Sequence, residues 1–194
     1  KAPETARRDL ARELGLDENG VWLLAVAMMR DDAKLKSYQL LAEALNKLTG
    51  AAWRLVIVGD GPAQPQVRAL FAGLGAIFTG RKSSAQLDRY FRAADIFVWP
   101  AINEAYGMAL LEAQASGLAV VAGRVRGVPG IVRHGRTGLL VPEGGDFAEA
   151  LGRLIDDAPL RARLGAAAAL AVAADHGLEA AAETLNRALQ VACS

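Results

Sequence analysis

Two carboxylates eight positions apart, Glu104 and Glu112, bracket a stretch that reads as the start of a helix, Ala105-Tyr106-Gly107-Met108. The first backbone N–H groups of a helix have no partner inside it. With the positive end of the helix dipole they attract anions. Glycine at 107 lets a ligand come close to the backbone. Helical spacing would put the two α-carbons about 12 Å apart, at about 1.5 Å per residue. Paired acid–base work on one bond needs carboxylates roughly 5–9.5 Å apart, so the spacing suits a longer ligand whose hydroxyls both carboxylates accept. A sugar, a diphosphate and a ribose in a row have that length. The plainer alternative, a loop charge at 104 and a capping residue at 112, fits the spacing equally well.

Other chemistries are poorly supplied. One cysteine, Cys193, excludes an internal disulfide framework and a cysteine-rich metal site. The two histidines, His134 and His176, stand far apart without a ligand-like spacing, so no metal is expected. Net charge is +1 and the 22 basic residues form no long stripe, which argues against nucleic acid as a partner. Arg124, Arg126, Arg133 and Arg136 do cluster, with His134 among them. They are either solvated loop charges or groups that face a phosphate. Hydrophobic residues make up 53% and charged residues 22%, the balance of a globular chain in a reducing, cytoplasmic setting. No segment has the length of a membrane span or the order of a secretory signal. The chain opens on Lys1 without an initiator methionine, as a processed or excised domain would.

The elements that must carry these residues alternate. Apolar runs at 21–28, 54–58, 76–79, 95–99, 118–122 and 138–141 read as strands, several of them continuous enough to be buried on both faces. Between and around them, helical patterns cover 1–19 (ending at Gly15), 37–48, 64–74, 84–93, 107–115, 147–156, 160–173 and 177–191. Ser83 or Ser84 is a plausible cap for the fourth of these. Such alternation predicts an α/β fold, a Rossmann-like doubly wound parallel sheet with helices on both faces. Ligands bind such sheets beyond the carboxyl ends of the strands, and the candidate residues follow strands. Trp22, Phe97 and Trp99 read as core, and Asp95 as structural.

The segment from Pro100 to Ala122, PAINEAYGMALLEAQASGLAVVA, resembles the E-x7-E signature of the retaining GT-B glycosyltransferases of the large family that includes sucrose synthases and bacterial mannosyltransferases. Pro100, Glu104, Tyr106, Gly107, Leu111, Glu112, Ala113, Ala115, Gly117, Val120 and Val121 carry the match. The resemblance implies that Glu104 contacts hydroxyls of the transferred sugar and that Glu112 holds the ribose diol. The amides of Gly107, Met108 and Ala109 would face the sugar and diphosphate, with Tyr106 partly core and partly site wall. It also implies an arginine after the first strand and a lysine at the next helix that grip the diphosphate. Arg30 fills the first place; Lys36 is in register for the second, with Lys34 as runner-up. Two cations at a strand's carboxyl end would stabilise a leaving diphosphate without a metal. Val58-Gly59-Asp60-Gly61-Pro62 matches the family's glycine turn, read as structural with Gly59 beside the ligand as the alternative. The loop Thr79-Gly80-Arg81-Lys82 resembles the one beside the nucleobase, so Arg81 would stack there.

The resemblance implies a C-terminal, donor-binding half of a GT-B enzyme, with a UDP-, GDP- or ADP-sugar as donor, no cofactor or metal, and an N-terminal domain that supplies the acceptor. Membrane contact, if any, would be peripheral and made through that domain. Several positions depart from the pattern: Ala101 for serine, Ala105 for glycine, Ala119 for proline and Gly130 for glutamate. Arg124 and Arg126 occupy a loop that is commonly smaller and less charged. A non-catalytic nucleotide-sugar-binding or regulatory module of the same fold is the alternative. A dehydrogenase is disfavoured because the first strand ends in Met28-Met29-Arg30-Asp31 and not in G-x-G-x-x-G.

Overall fold

Apolar runs become strands with both faces covered in the computed structural model, which describes residues 3–48 and 53–176. The strands are β1 (Val21–Val26), β2 (Trp53–Val58), β3 (Ile77–Phe78), β4 (Ile96–Trp99), β5 (Ala119–Gly123) and β6 (Gly138–Val141). They form one sheet in the order β3-β2-β1-β4-β5-β6, with neighbours paired in parallel. Every side chain of β4, β5 and β6 is buried. Helices cover both faces of a parallel sheet, so the strands show no apolar–polar alternation.

The helices are α1 (Pro3–Leu14), α2 (Ala33–Lys47), α3 (Gln64–Leu70), α4 (Ser84–Ala93), α5 (Met108–Ala115), α6 (Val128–Ile131), α7 (Phe147–Asp156) and α8 (Ala158–His176). α1 packs on α4 and α5 on α8, while α2 packs on α3 and α7. The chain winds outward from β1 through β2 to β3, then returns to β1's other edge as β4. The loops after β1 and β4 therefore leave in opposite directions, and the crevice between them is where doubly wound sheets take ligands. Among the described residues, no helix is long and apolar enough to cross a membrane.

Most expected elements are present, with shifted ends. The helix expected from 37 starts at Ala33, because the Asp32 carboxylate accepts the Lys34 N–H at 2.7 Å and caps it. The helix expected over 64–74 stops at Leu70, ahead of left-handed Gly73 and Gly75. α6 was not expected: Val128 and Ile131 anchor it in the core, and the buried Gln114 side chain donates to the Ile131 carbonyl. The helix expected over 177–191, and Cys193, lie outside the described residues.

Asp95 has the structural role expected of it. Its carboxylate accepts the Trp22 N–H at 2.7 Å and an Arg7 N–H at 3.1 Å. Arg7 also donates to the carbonyls of Glu18, Gly20 and Ala93, and its guanidinium lies 4.6 Å over the Trp22 ring. One side chain thereby fastens α1 to the amino edge of the sheet.

Candidate functional site at the switch point

The crevice is braced by contacts between loops. Met29, buried after β1, donates its N–H to Asp60 and accepts that of Ala63, which lashes the β1 loop to the β2 loop. At Gly59 a Cβ would sit 2.0 Å from the Ala27 carbonyl oxygen, so only glycine fits. The glycine turn is thus pressed against the protein's own backbone, which supports its structural reading. Below it, the Tyr38 hydroxyl donates to the same Ala27 carbonyl at 2.9 Å, and its ring meets Trp99 edge-on at 4.9 Å. Burial raises the phenol's pKa well above its ordinary value, so it stays a neutral donor. Ser37 joins the two sides of the crevice: its hydroxyl donates to Ala33 in α2 and accepts the Ile102 N–H of the β4 loop.

Glu104 sits at the mouth of that loop and is paired with Lys34. Both side chains are part-buried, 20% and 21% exposed, and the ammonium lies 5.6 Å over the Trp99 ring. Gly107 caps α5 in the left-handed conformation, φ 80° and ψ 56°, a geometry that L side chains rarely adopt. A Cβ there would also meet Leu110 Cδ1 at 2.8 Å and Glu104 Cγ at 3.5 Å. The Gly107 carbonyl accepts from Leu110 and Leu111. The amides of Gly107, Met108 and Ala109 form the open tip of α5, as at any helix start. Tyr106 and Met108 stand exposed beside that tip, at 48% and 57%.

The two lysines take different places on α2. Because α2 begins at Ala33, Lys34 lies in its first turn on the side facing Trp99 and Glu104. Lys36, two residues on and about 200° around the helix at about 3.6 residues per turn, is exposed. It lines a groove with Asp31, Asp32 and Asn103. Lys34, not Lys36, is therefore the lysine beside Glu104. Arg30 is half-exposed on the β1 loop, its Nε 3.9 Å from the Asp32 carboxylate.

Glu112 lies on the flank of α5 and does not share the Lys34 contact of Glu104. It lines a cleft of about 270 Å³ with Ser84, Leu87 and Asp88 of α4. Arg81 is exposed on the loop that leads into α4, where Ser83 forms a reciprocal capping box with Gln86. Gly59 donates to the Gly80 carbonyl at 3.0 Å, so this loop is held at the carboxyl end of β2. Across the sheet the carboxyl edge thus carries Arg81 after β3, Arg30 and Lys34 after β1, and Glu104 with the α5 tip after β4, while Glu112 lies on the α4-facing flank of α5.

The arginine cluster divides. Arg124 and Arg126 follow β5 at the carboxyl edge. Arg133, His134 and Arg136 precede β6 at the amino edge, where Arg133 pairs with Asp175 and His134 Nδ1 accepts the Leu140 N–H. Sequence reasoning left two features unassigned, the Ser37 bridge and a cavity beyond Asn103. Neither has a spacing signal, since both join loops remote in sequence.

Residues 20–157 match the family described as Glycosyl transferases group 1, and the chain belongs to that family. It is 38% identical over 138 residues to sulfoquinovosyl transferase SQD2 of Arabidopsis thaliana, which covers 69% of this chain and 27% of that protein. It is 35% identical over 176 residues to the D-inositol 3-phosphate glycosyltransferase of Pseudarthrobacter chlorophenolicus, covering 84% and 41%. Among solved structures, Anabaena HepE in complex with UDP and glucose superposes with a TM-score of 0.77 at 20% identity, over 94% of this chain and 52% of that one. The fold is that of one half of GT-B glycosyltransferases. The chain spans between about a quarter and a half of the length of these proteins.

Proposed function

We propose that this chain is the donor-binding, C-terminal domain of a retaining GT-B glycosyltransferase of the E-x7-E type, acting on a nucleoside-diphosphate sugar. The observation that carries the reading is the meeting of Lys34, Glu104 and the open tip of α5 at the switch point, with Arg30 on the adjoining loop. Charge develops on the departing diphosphate as its bond to the anomeric carbon breaks. Cations and helix amides fixed in advance stabilise that charge without reorganising. In this reading Arg30 and Lys36 bind the diphosphate from solvent-facing positions, together with the amides of Gly107, Met108 and Ala109. Lys34 keeps Glu104 oriented toward the sugar hydroxyls. Glu112, in its α4-facing cleft, accepts the ribose diol, and the base lies beside Arg81.

The share of the relatives' length that the chain spans supports an N-terminal domain that brings the acceptor. The exposed Met28, Leu40, Tyr106 and Met108 near the carboxyl edge supply apolar surface for that domain to cover. UDP in the HepE complex makes UDP-sugars the first donors to try, with GDP- and ADP-sugars beside them. A thermal-shift and calorimetric screen of UDP, GDP and ADP should show one base raising the melting temperature. Arg30→Gln should weaken that ligand about tenfold, the loss of roughly 1.4 kcal/mol of charge-assisted contact. No response to any nucleotide would end the reading.

A further inference from the structure

Beyond Asn103, on the far side of the β4 loop from Lys34, lies a cavity of about 690 Å³ at the carboxyl ends of β4, β5 and β6. That volume is within the usual range for small-molecule sites, roughly 300–1,000 Å³. Its apolar wall comes from Leu40, Ile102, Val125 and Phe147. Its polar lining residues include Arg124, Arg126, Asn103 and Glu143, all solvent-exposed. Neither guanidinium nor Glu143 has an ion-pair partner among the described residues. The β4 and β5 loops, which hold Asn103, Arg124 and Arg126, are strained. Among the described residues, the non-glycine positions with left-handed φ are Ala101 (61°), Asn103 (56°) and Arg126 (39°), all within two of the three loops at this cavity. Glycine would relieve such a conformation, so an arginine at 126 is kept at a conformational cost.

We propose that this cavity binds a sugar or polyol that carries a phosphate. Arg124 and Arg126 supply donors for the phosphate oxygens, as guanidiniums do in phosphate sites. Asn103 and Glu143 are complementary to hydroxyls, the amide donating or accepting and the carboxylate accepting. The apolar wall accepts the carbon face of the ring. The cavity shares Ile102 and Asn103 with the groove that holds Lys36. A ligand here would therefore sit beside, and not within, the proposed donor site. This binding does not rest on the glycosyl-transfer reading.

The test is calorimetric titration of the chain with glucose 6-phosphate, inositol 1-phosphate, glucose and inorganic phosphate, each with and without saturating UDP. At least one of the two phosphorylated compounds is expected to bind at least about tenfold more tightly than glucose or inorganic phosphate, with UDP present. Arg124→Gln should weaken it about tenfold and leave UDP binding unchanged. Arg126→Gly should do the same while holding or raising the melting temperature, since it relieves the left-handed backbone. A merely structural arginine would show no loss of ligand. Equal binding of inorganic phosphate, displacement by UDP, or absent sugar-phosphate binding where UDP still binds would overturn the proposal. Sugar-phosphate binding by a chain that ignores all nucleotides would sustain it and sink the donor-site reading instead.

Discussion

Lys34 and Glu104 each keep about a fifth of their side-chain surface in solvent, so their ion pair is less screened than a surface pair and less costly to desolvate than a dry one. Removing the cation leaves a part-buried carboxylate without its partner. Lys34→Met should therefore cost about 1–2 kcal/mol in chemical denaturation. In the full enzyme it should lower kcat more than it raises the donor KM, because Glu104 loses its orientation. Lys36→Met should do the reverse, with unchanged stability and a donor affinity reduced about tenfold, the value of one charge-assisted contact. If the two variants behave alike, the division of labour between the lysines is wrong. Gly59 sets a different kind of limit. Gly59→Ala places a methyl 2.0 Å from the Ala27 oxygen and should destabilise the domain by about 3 kcal/mol through forced backbone movement, read as a lower denaturation midpoint.

Capping and anchoring decide where the elements begin and how they attach. Asp146 caps α7, its carboxylate accepting the Ala148 and Glu149 N–H groups, and these bonds, aided by Lys47, lower its pKa. A group whose folded pKa is lowered contributes stability above its unfolded pKa and loses it as the pH falls through the folded one. Asp146→Asn, a cap without the titration, should therefore flatten the acid limb of a stability–pH profile below the ordinary carboxylate range. An unchanged limb would show that the cap does not titrate with folding. Arg7 is the anchor at the opposite edge. Arg7→Ala strands the Asp95 carboxylate and three carbonyls and should cost about 2–3 kcal/mol, measured as a fall in melting temperature. The difference in legibility follows from the same physics. Strands buried on both faces announce themselves as unbroken apolar runs, and the turn after β2 as glycines. The start of α2 did not, because its first turn is lysine and alanine after an aspartate cap. The Lys34–Glu104 pair joins residues 70 positions apart and Arg7–Asp95 residues 88 apart, and no local spacing encodes either. The cavity at Arg124 and Arg126 was visible only as a departure in charge.

At the scale of the whole molecule, four of the five large hydrophobic side chains that stand exposed among the described residues, Met28, Leu40, Tyr106 and Met108, lie in or near the loops and helices at the sheet's carboxyl edge. Leu170 on α8 is the fifth. An edge that carries both the candidate site and uncovered apolar surface is the geometry of a cleft with one wall. In the proposed enzyme the second wall excludes water, which strengthens every charge interaction at Glu104, Lys34 and Arg30. It also brings the acceptor within reach of the anomeric carbon. One wall alone should still recognise the nucleotide, because the groups proposed to hold it, Glu112, Arg81 and the α5 tip, all belong to this chain. The chain is therefore expected to bind its nucleotide weakly and to transfer no sugar, while the full-length enzyme transfers it. Released nucleoside diphosphate, assayed with and without acceptor, checks both halves of the statement. Sugar transfer by the 194 residues alone would show that the edge is already a complete active site, and that its exposed methionines and tyrosine serve something other than a second domain.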